Sequence, residues 1–301
     1  MTAALGLGTY RIAGEKLPAA VRRAAASPAA WIDTAPNYCD GRAHSLIAPV
    51  LLDHPELHVA SKVGFVDPAT ARTAEAAEII DAKQAAARHS IGAPYVRWQA
   101  KHNRDALGRL DLLFLHNPEA TVWPAHLFRD MRAAFAVLEE QVHAGVIGAY
   151  GVATWSGFRE DAFTVPVLDQ LATEAAGTRE HHLRTLQLPV SLVMADAFAQ
   201  ALDGGGPIAE AADLGWQVHA SAPLHAGELR HLATPELAAL IRPGASVTAA
   251  CLSAVASCPG VSKVLVSTGS TEHWTDALAA LSEEVPAETL RKVLDVLAAP
   301  D

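Results

Sequence analysis

Asp33, Tyr38, Lys62 and His116 are four side chains whose types and order suit joint proton chemistry. A tyrosine phenol is a weak acid, with an ordinary pKa of about 10. A neighbouring ammonium stabilises the phenolate and makes the phenol a better proton donor. A lysine loses its charge on burial unless a carboxylate stands beside it. A neutral histidine can donate a hydrogen bond to a carbonyl-type oxygen. Together the four could protonate an oxygen on which negative charge develops.

Three of the four end an apolar run. Trp31-Ile32 leads into Asp33, and Tyr38 follows five residues later. Leu57-His58-Val59-Ala60-Ser61 ends at Lys62, and Leu110-Asp111-Leu112-Leu113-Phe114-Leu115 ends at His116. Runs of this kind read as buried strands. Strands are expected at Ala4–Thr9, Trp31–Asp33, His58–Lys62, Leu110–His116, Ile147–Ala153, Leu186–Pro189, Gln217–Ser221 and Val264–Val266. Helices are expected at Leu17–Ala26, Ala43–Leu52, Thr73–Ala87, Ala125–Ala144, Phe163–Thr173, Pro207–Leu214, Thr248–Ser257 and Thr271–Ala280. Ser90–Arg109 reads as the helix before the fourth strand, and Gly204-Gly205-Gly206-Pro207 as a loop between a strand and a helix.

Alternating strands and helices predict a parallel sheet with helices outside. Eight such units in 301 residues predict an α/β fold, a (β/α)8 TIM barrel forming a single domain over residues 1–301. Strand C-termini line the active face of such a barrel, so Asp33, Lys62 and His116 would meet there. Tyr38 would reach in from the loop after the second strand. The rival fold is a doubly wound dinucleotide-binding sheet. Gly6-Leu7-Gly8-Thr9-Tyr10 is too short for its fingerprint and lacks the third glycine.

The formal charge of −10 and a pI of about 5.7 disfavour nucleic acid and anionic membrane as partners. No apolar run approaches the ~18 residues of a membrane span, and the N-terminus lacks a basic leader. The three cysteines, Cys39, Cys251 and Cys258, form no CxxC, which points to a reduced, cytoplasmic setting. Cys251 and Cys258 are seven apart and are expected on one buried helical face; Cys39 is expected to pack beside Tyr38. Fourteen histidines raise the question of a metal. Glu180-His181-His182 and the pair His225 and His231 lack ligand spacing, so no metal is expected. Glu139 and Glu140 read as a solvated helix face. Phe65, Trp123 and Trp155 follow the third, fourth and fifth strands and are candidate walls of a substrate pocket.

These motifs together resemble the aldo-keto reductase superfamily over nearly the whole chain. Gly6-Leu7-Gly8-Thr9-Tyr10 is similar to its opening strand, and Trp31 to Tyr38 to its Asp/Tyr segment. Val59-Ala60-Ser61-Lys62 resembles its lysine strand, and Leu110 to Pro118 its histidine strand. Gly145 to Trp155, Gln187-Leu188-Pro189 and Val264 to Leu278 resemble its fifth, sixth and last strand regions. The resemblance implies a (β/α)8 barrel that moves a hydride between NADP(H) or NAD(H) and a small-molecule carbonyl or alcohol. It implies Tyr38 as proton donor, Lys62 and Asp33 as the adjoining ion pair, and His116 as the group that orients the carbonyl. Many relatives carry an N-terminal β-hairpin cap, and this chain is expected to lack it.

By the same resemblance Thr9 and Tyr10 fall on the ribose side of the cofactor, and Thr154 and Gln187 at the carboxamide. Ser221 takes the place of an aromatic residue that stacks on the nicotinamide. Leu224 and Gly227 fall in the pyrophosphate loop. Ser267, Thr268, Gly269, Ser270 and His273 lie where the last helix opens. The family's Ser-Asn pair reads Ala153-Thr154 here, its phosphate-binding Lys and Arg read Ser267 and His273, and its adenine-contacting Asn reads Ala277. These departures leave NADP against NAD open. They also leave two alternatives: a redox-neutral lyase, isomerase or cyclase reusing the four residues, and a non-enzymatic nucleotide-sensing or partner-binding subunit. The chain is expected as a monomer or homo-oligomer, and its alanine-rich composition suggests bacterial specialised metabolism.

Overall fold

The computed structural model describes residues 2–298. In chain order its elements are β1 (Ala4–Gly8), α1 (Leu17–Ala25), β2 (Trp31–Asp33), α2 (Ala43–Asp53), β3 (His58–Val63), α3 (Pro68–Ala76), α4 (Ala82–Ala87) and α5 (Ala93–Leu107). There follow β4 (Leu112–His116), α6 (Leu127–His143), β5 (Ala149–Ala153), α7 (Val165–Ala176), β6 (Leu183–Pro189), α8 (Asp196–Leu202) and α9 (Gly206–Asp213). The chain continues with β7 (Gln217–Ser221), α10 (Leu229–Leu232), α11 (Pro235–Ile241), α12 (Val247–Ala256), β8 (Lys263–Val266), α13 (Thr271–Leu281) and α14 (Ala287–Ala298).

The strand order is a closed barrel, β1 through β8 in sequence order. All eight expected strands form. Contacts between Cα atoms group the chain into two compact units, divided after Gly6 and after Thr185.

In the unit Leu7–Thr185, parallel register aligns Asp33 with Ala60, Lys62 with Phe114, and His116 with Ala153. Side chains alternate along a strand. Trp31, Ala60, Leu112, Phe114, Ala149 and Ala153 pack as one apolar cluster. Asp33, Lys62 and His116 lie on the same side of their strands as that cluster, each at or beside a strand's C-terminal end. Gly151 gives Phe114 its space, since a Cβ there would lie 2.7 Å from the Phe114 ring. These strands read as continuous apolar runs because both of their faces are covered.

In the other unit, β7 pairs in parallel with β8, His219 opposite Lys263. Its helices include four that the sequence reading did not place: α8, α10, α11 and α14.

Several expectations are corrected. The helix expected at Thr73–Ala87 is two helices. Asp67 caps α3 ahead of Pro68, Ala77 ends it, and Asp81 with Gln84 forms a capping box that opens α4. The Gly204–Gly206 stretch joins two helices, α8 and α9, instead of a strand and a helix. Cys251 lies in α12, but Cys258 lies beyond the end of that helix, so the two do not share a helical face, although both are buried. Glu139 is not solvated. It is buried, and it accepts hydrogen bonds from the Tyr150 hydroxyl (2.9 Å), the His182 amide (2.7 Å) and His182 Nδ1 (2.6 Å). These bonds hold its carboxyl below the ordinary range although burial works the other way. Its spacing of four from Phe135 puts it on the apolar stripe of α6. Glu140, its neighbour, is exposed and pairs with Arg97.

Candidate active site

Lys62 is fully buried at the end of β3. Its ammonium lies 2.5 Å from Asp33 Oδ1 and donates to the Thr34 carbonyl at 3.0 Å. It also acts on the Tyr38 hydroxyl through charge and a hydrogen bond, and it stands 5.1 Å from the centre of the Tyr38 ring. An ammonium has three donors and no acceptor; Asp33 and the Thr34 carbonyl take two of them, and the third is available to the Tyr38 hydroxyl. Because an ammonium cannot accept, the Tyr38 O–H is left to donate elsewhere. The turn after β2 delivers Tyr38, with its amide on the Ala35 carbonyl and its carbonyl accepting from Gly41 and Ala43.

Burial pushes the Tyr38 phenol above its ordinary pKa; Lys62 pulls it down but does not overcome burial, and Asp33 adds to the rise. Residue types alone predict that the ammonium prevails, whereas desolvation is the larger effect. Burial also opposes the Lys62 charge, but Asp33 and Tyr38 outweigh it and leave the lysine above its ordinary pKa. His116 is held well below its ordinary value by burial, then by Lys62 and His89. At neutral pH the site thus holds a protonated phenol, a charged ammonium and a neutral imidazole.

Phe65 sets its ring edge-on to His116, centroids 5.0 Å apart. Tyr10 lies against Tyr38, centroids 5.2 Å apart, and is half exposed. Thr9 is buried, and its hydroxyl donates to the Asp33 carbonyl at 3.0 Å, which ties β1 to β2 directly behind the ion pair. Trp123 and Trp155 are both partly exposed. The Trp123 ring lies under Lys83 Nζ at 3.8 Å.

A model of the aldo/keto reductase family matches residues 2–171, more than half of the chain. The chain belongs to the aldo/keto reductase family. Its fold is similar to that of an aldo/keto reductase from Klebsiella pneumoniae in complex with NADP and acetate, with a TM-score of 0.71 and 21% identity, covering 99% of this chain and 92% of that one. A Klebsiella pneumoniae aldo-keto reductase in complex with NADPH gives 0.70 and 20%, covering 99% and 92%. The holo form of an aldo-keto reductase from Bacillus halodurans gives 0.67 and 16%, covering 99% and 93%. At these identities the likeness is one of fold. No curated protein matches the sequence.

In this aldo/keto reductase the exit of β5 is held by a network of internal hydrogen bonds. The hydroxyl of the buried Thr154 is hydrogen-bonded within the protein. It donates to Glu119 Oε1 at 2.7 Å and accepts from the Gly157 amide at 2.9 Å. The same Glu119 oxygen accepts from the amides of Trp155 (2.9 Å) and Ser156 (3.0 Å). Glu119 was not among the candidate residues, although it stands three residues after His116.

In the second unit, Gln187 is buried on β6, and the Ser221 carbonyl at the end of β7 accepts from the Val190 amide at 3.1 Å. The loop after β7 turns through left-handed residues at Ala222, His225, Ala226 and Gly227. Several of its amides bond inward, Gly227 N to Leu224 O at 2.8 Å among them. Ser267 is exposed and Thr268 is buried, while Gly269 and Ser270 are intermediate. Ser270 caps α13 by accepting from the His273 amide at 3.3 Å, and its own amide donates to Thr268 Oγ1 at 3.1 Å. The first turn of α13 carries an acid, Glu272, which the sequence reading did not weigh.

Other side chains behind the site were also missed. Asn103 on α5 donates to the Lys62 carbonyl at 3.0 Å and accepts from Gln99 at 2.5 Å, and Gln99 accepts from Tyr95 at 3.2 Å. All three are buried, and their i, i+4 spacing, visible in the sequence, puts them on one face of the helix. His44 on α2 is bonded to Ser61 at 2.9 Å and buried, which holds its pKa down at about 4. Among the described residues no group of three or more His, Cys, Asp or Glu is placed to hold a metal ion, and no helix is long and apolar enough to cross a membrane.

Proposed function

We propose that this aldo/keto reductase reduces an aldehyde or ketone to an alcohol with NADPH or NADH, with Tyr38 as the proton donor. The observation that carries the reading is the buried Lys62 ammonium, hydrogen-bonded to Asp33 and acting on the Tyr38 hydroxyl. A phenol beside an ammonium, which can only donate, presents its proton outward, toward an oxygen that gains charge. As that proton leaves, Lys62 stands beside the new phenolate and stabilises it, and Asp33 keeps the lysine charged. Neutral His116 donates to the carbonyl oxygen and fixes its orientation.

A reduced nicotinamide, when bound, supplies the hydride. The donor types in the second unit fit such a group: the Gln187 amide suits a carboxamide, and the hydroxyl-rich segment Ser267–Ser270 opens a helix, where phosphate is favoured. The NADP- and NADPH-bound relatives support the same reading. Glu272 and the lack of Lys or Arg among Ser267–His273 weaken the case for a 2′-phosphate, so both cofactors remain in the proposal. The substrate is a small organic carbonyl compound taken up by a cytoplasmic enzyme.

One observation favours a second reading, redox-neutral proton transfer by the same four residues. The Thr154 hydroxyl, expected at the carboxamide, is already bonded on both sides. Titration of the purified protein with NADPH and NADH, followed by nicotinamide fluorescence, separates the two. Micromolar binding of either supports the reductase, and binding of neither moves the redox-neutral reading first.

A further inference from the structure

The last ladder pair between β3 and β4 is Val63 with Leu115. Beyond it the strand ends at Gly64, and the His116 carbonyl faces that glycine with no strand partner on this side among the described residues. A buried carbonyl without a donor is costly. The missing donor comes from outside the barrel strands: His89 Nε2 lies 2.9 Å from the His116 oxygen.

His89 is brought there by an excursion of the chain that leaves after β3 and returns before α5. Its neck is closed by two antiparallel hydrogen bonds, Val66 N to Arg88 O and Ser90 N to Gly64 O, both 2.9 Å, with Phe65 opposite His89. The neck is built against His116. Phe65 stands edge-on to both the His116 ring and the His89 ring, with centroids 5.0 Å away in both cases. Gly64 permits the approach, because a Cβ there would lie 2.4 Å from the His116 oxygen and 3.1 Å from His89 Nε2. The far part of the excursion is latched as well, by Lys83 donating to the Val122 carbonyl at 3.2 Å and resting on Trp123.

His89 is 2% exposed, and its Nδ1 has no hydrogen-bond partner among the described residues. A neutral imidazole has one N–H, which this arrangement places on Nε2, pointing at His116. We propose that His89 is a positioning residue for His116: it completes the end of β4 and, with Phe65, fixes the orientation in which the His116 ring meets the substrate oxygen. The inference rests on the role given to His116 above, and it makes the excursion part of the active site although it contributes no reacting group.

The test compares His89→Leu, which keeps apolar volume without a donor, with His89→Gln, whose amide can donate to the same carbonyl. Gly64→Ala strains the same contact from the other side and serves as the second variant should His89→Leu fail to fold. The first readout is the isotope-labelled imidazole NMR signal of His116, assigned by its loss in His116→Asn. It should shift in His89→Leu and Gly64→Ala and return in His89→Gln. The second readout is steady-state reduction of a carbonyl. Turnover should fall about ten- to a hundredfold in His89→Leu, the scale of a small misplacement, with nicotinamide affinity unchanged. His89→Gln should recover most of it. An unmoved His116 signal in His89→Leu, or no recovery in His89→Gln, overturns the proposal. Because the NMR signal needs no reaction, failure of the wild type to reduce any carbonyl would remove the reductase reading and leave this test standing.

Discussion

The Lys62 ammonium sits 2.5 Å from the Asp33 carboxylate, and water reaches neither side chain to any extent. A buried pair of this kind contributes little net stability as a pair, but removing one partner leaves the other charge uncompensated. Asp33→Asn should therefore destabilise the protein by about 3 kcal/mol and lower turnover, because Lys62 would lose its charge and with it its hold on Tyr38. Chemical denaturation checks the first effect. Equal stability of wild type and variant would mean that the pair is not buried as described.

Acid should weaken the fold through its buried histidines. His44 has a folded pKa of about 4 against an ordinary 6.5. Between those values the unfolded chain binds the proton that the folded chain refuses, so stability falls as pH drops through the window and is whole above it. His89 and His116 are shifted in the same direction and add to the slope. The His44 contribution alone is about 3 kcal/mol, at about 1.4 kcal/mol per pH unit. Urea midpoints across this range should drop with falling pH in the wild type and drop less in His44→Gln. Parallel curves would refute the assignment.

Glu119 should matter more for the shape of the β5 exit than its place on the sequence suggests. Glu119→Ala leaves Thr154, Trp155 and Ser156 without their shared acceptor and should cost about 2 kcal/mol, with some of these donors regaining water. Glu119→Gln keeps an acceptor oxygen and should cost less. Faster hydrogen exchange at the Trp155 and Ser156 amides in Glu119→Ala, beside unchanged exchange in α5, is the expected result.

Glu272 places a negative charge in the first turn of α13, where an anion would otherwise be favoured. If the adenosine end of the cofactor docks here, Glu272→Arg should tighten NADPH about tenfold, equivalent to ~1.4 kcal/mol, and leave NADH nearly unchanged. Fluorescence titrations of both cofactors decide it; equal changes for the two would place the 2′-phosphate elsewhere.

Asp33, Lys62 and His116 were legible in the sequence because each ends an apolar run, and strand period together with parallel order puts such ends on one side of the sheet. His89, Asn103 and Glu119 were not, because what they do is set by partners 27, 41 and 35 residues away. A polar residue on a helix or in a loop reads as solvated until its partner is known, which is how Glu139 was misplaced. Its spacing from Phe135 was the available signal. The split of Thr73–Ala87 was also readable, since Asp67-Pro68 and Asp81 with Gln84 are helix starts. The cofactor segments stayed harder to read. Their donors are backbone amides and hydroxyls, and whether those bond inward, as at Thr154 and Gly227, is decided by tertiary structure.

The most direct test of the central claim is the rate at which wild type and Tyr38→Phe oxidise NADPH or NADH in the presence of a panel of aldehydes and ketones. The account predicts carbonyl-dependent oxidation by the wild type. It predicts a fall of about 10² or more in turnover for Tyr38→Phe, the scale of lost general acid catalysis, with cofactor affinity unchanged. A Tyr38→Phe enzyme that turns over at the wild-type rate would contradict it.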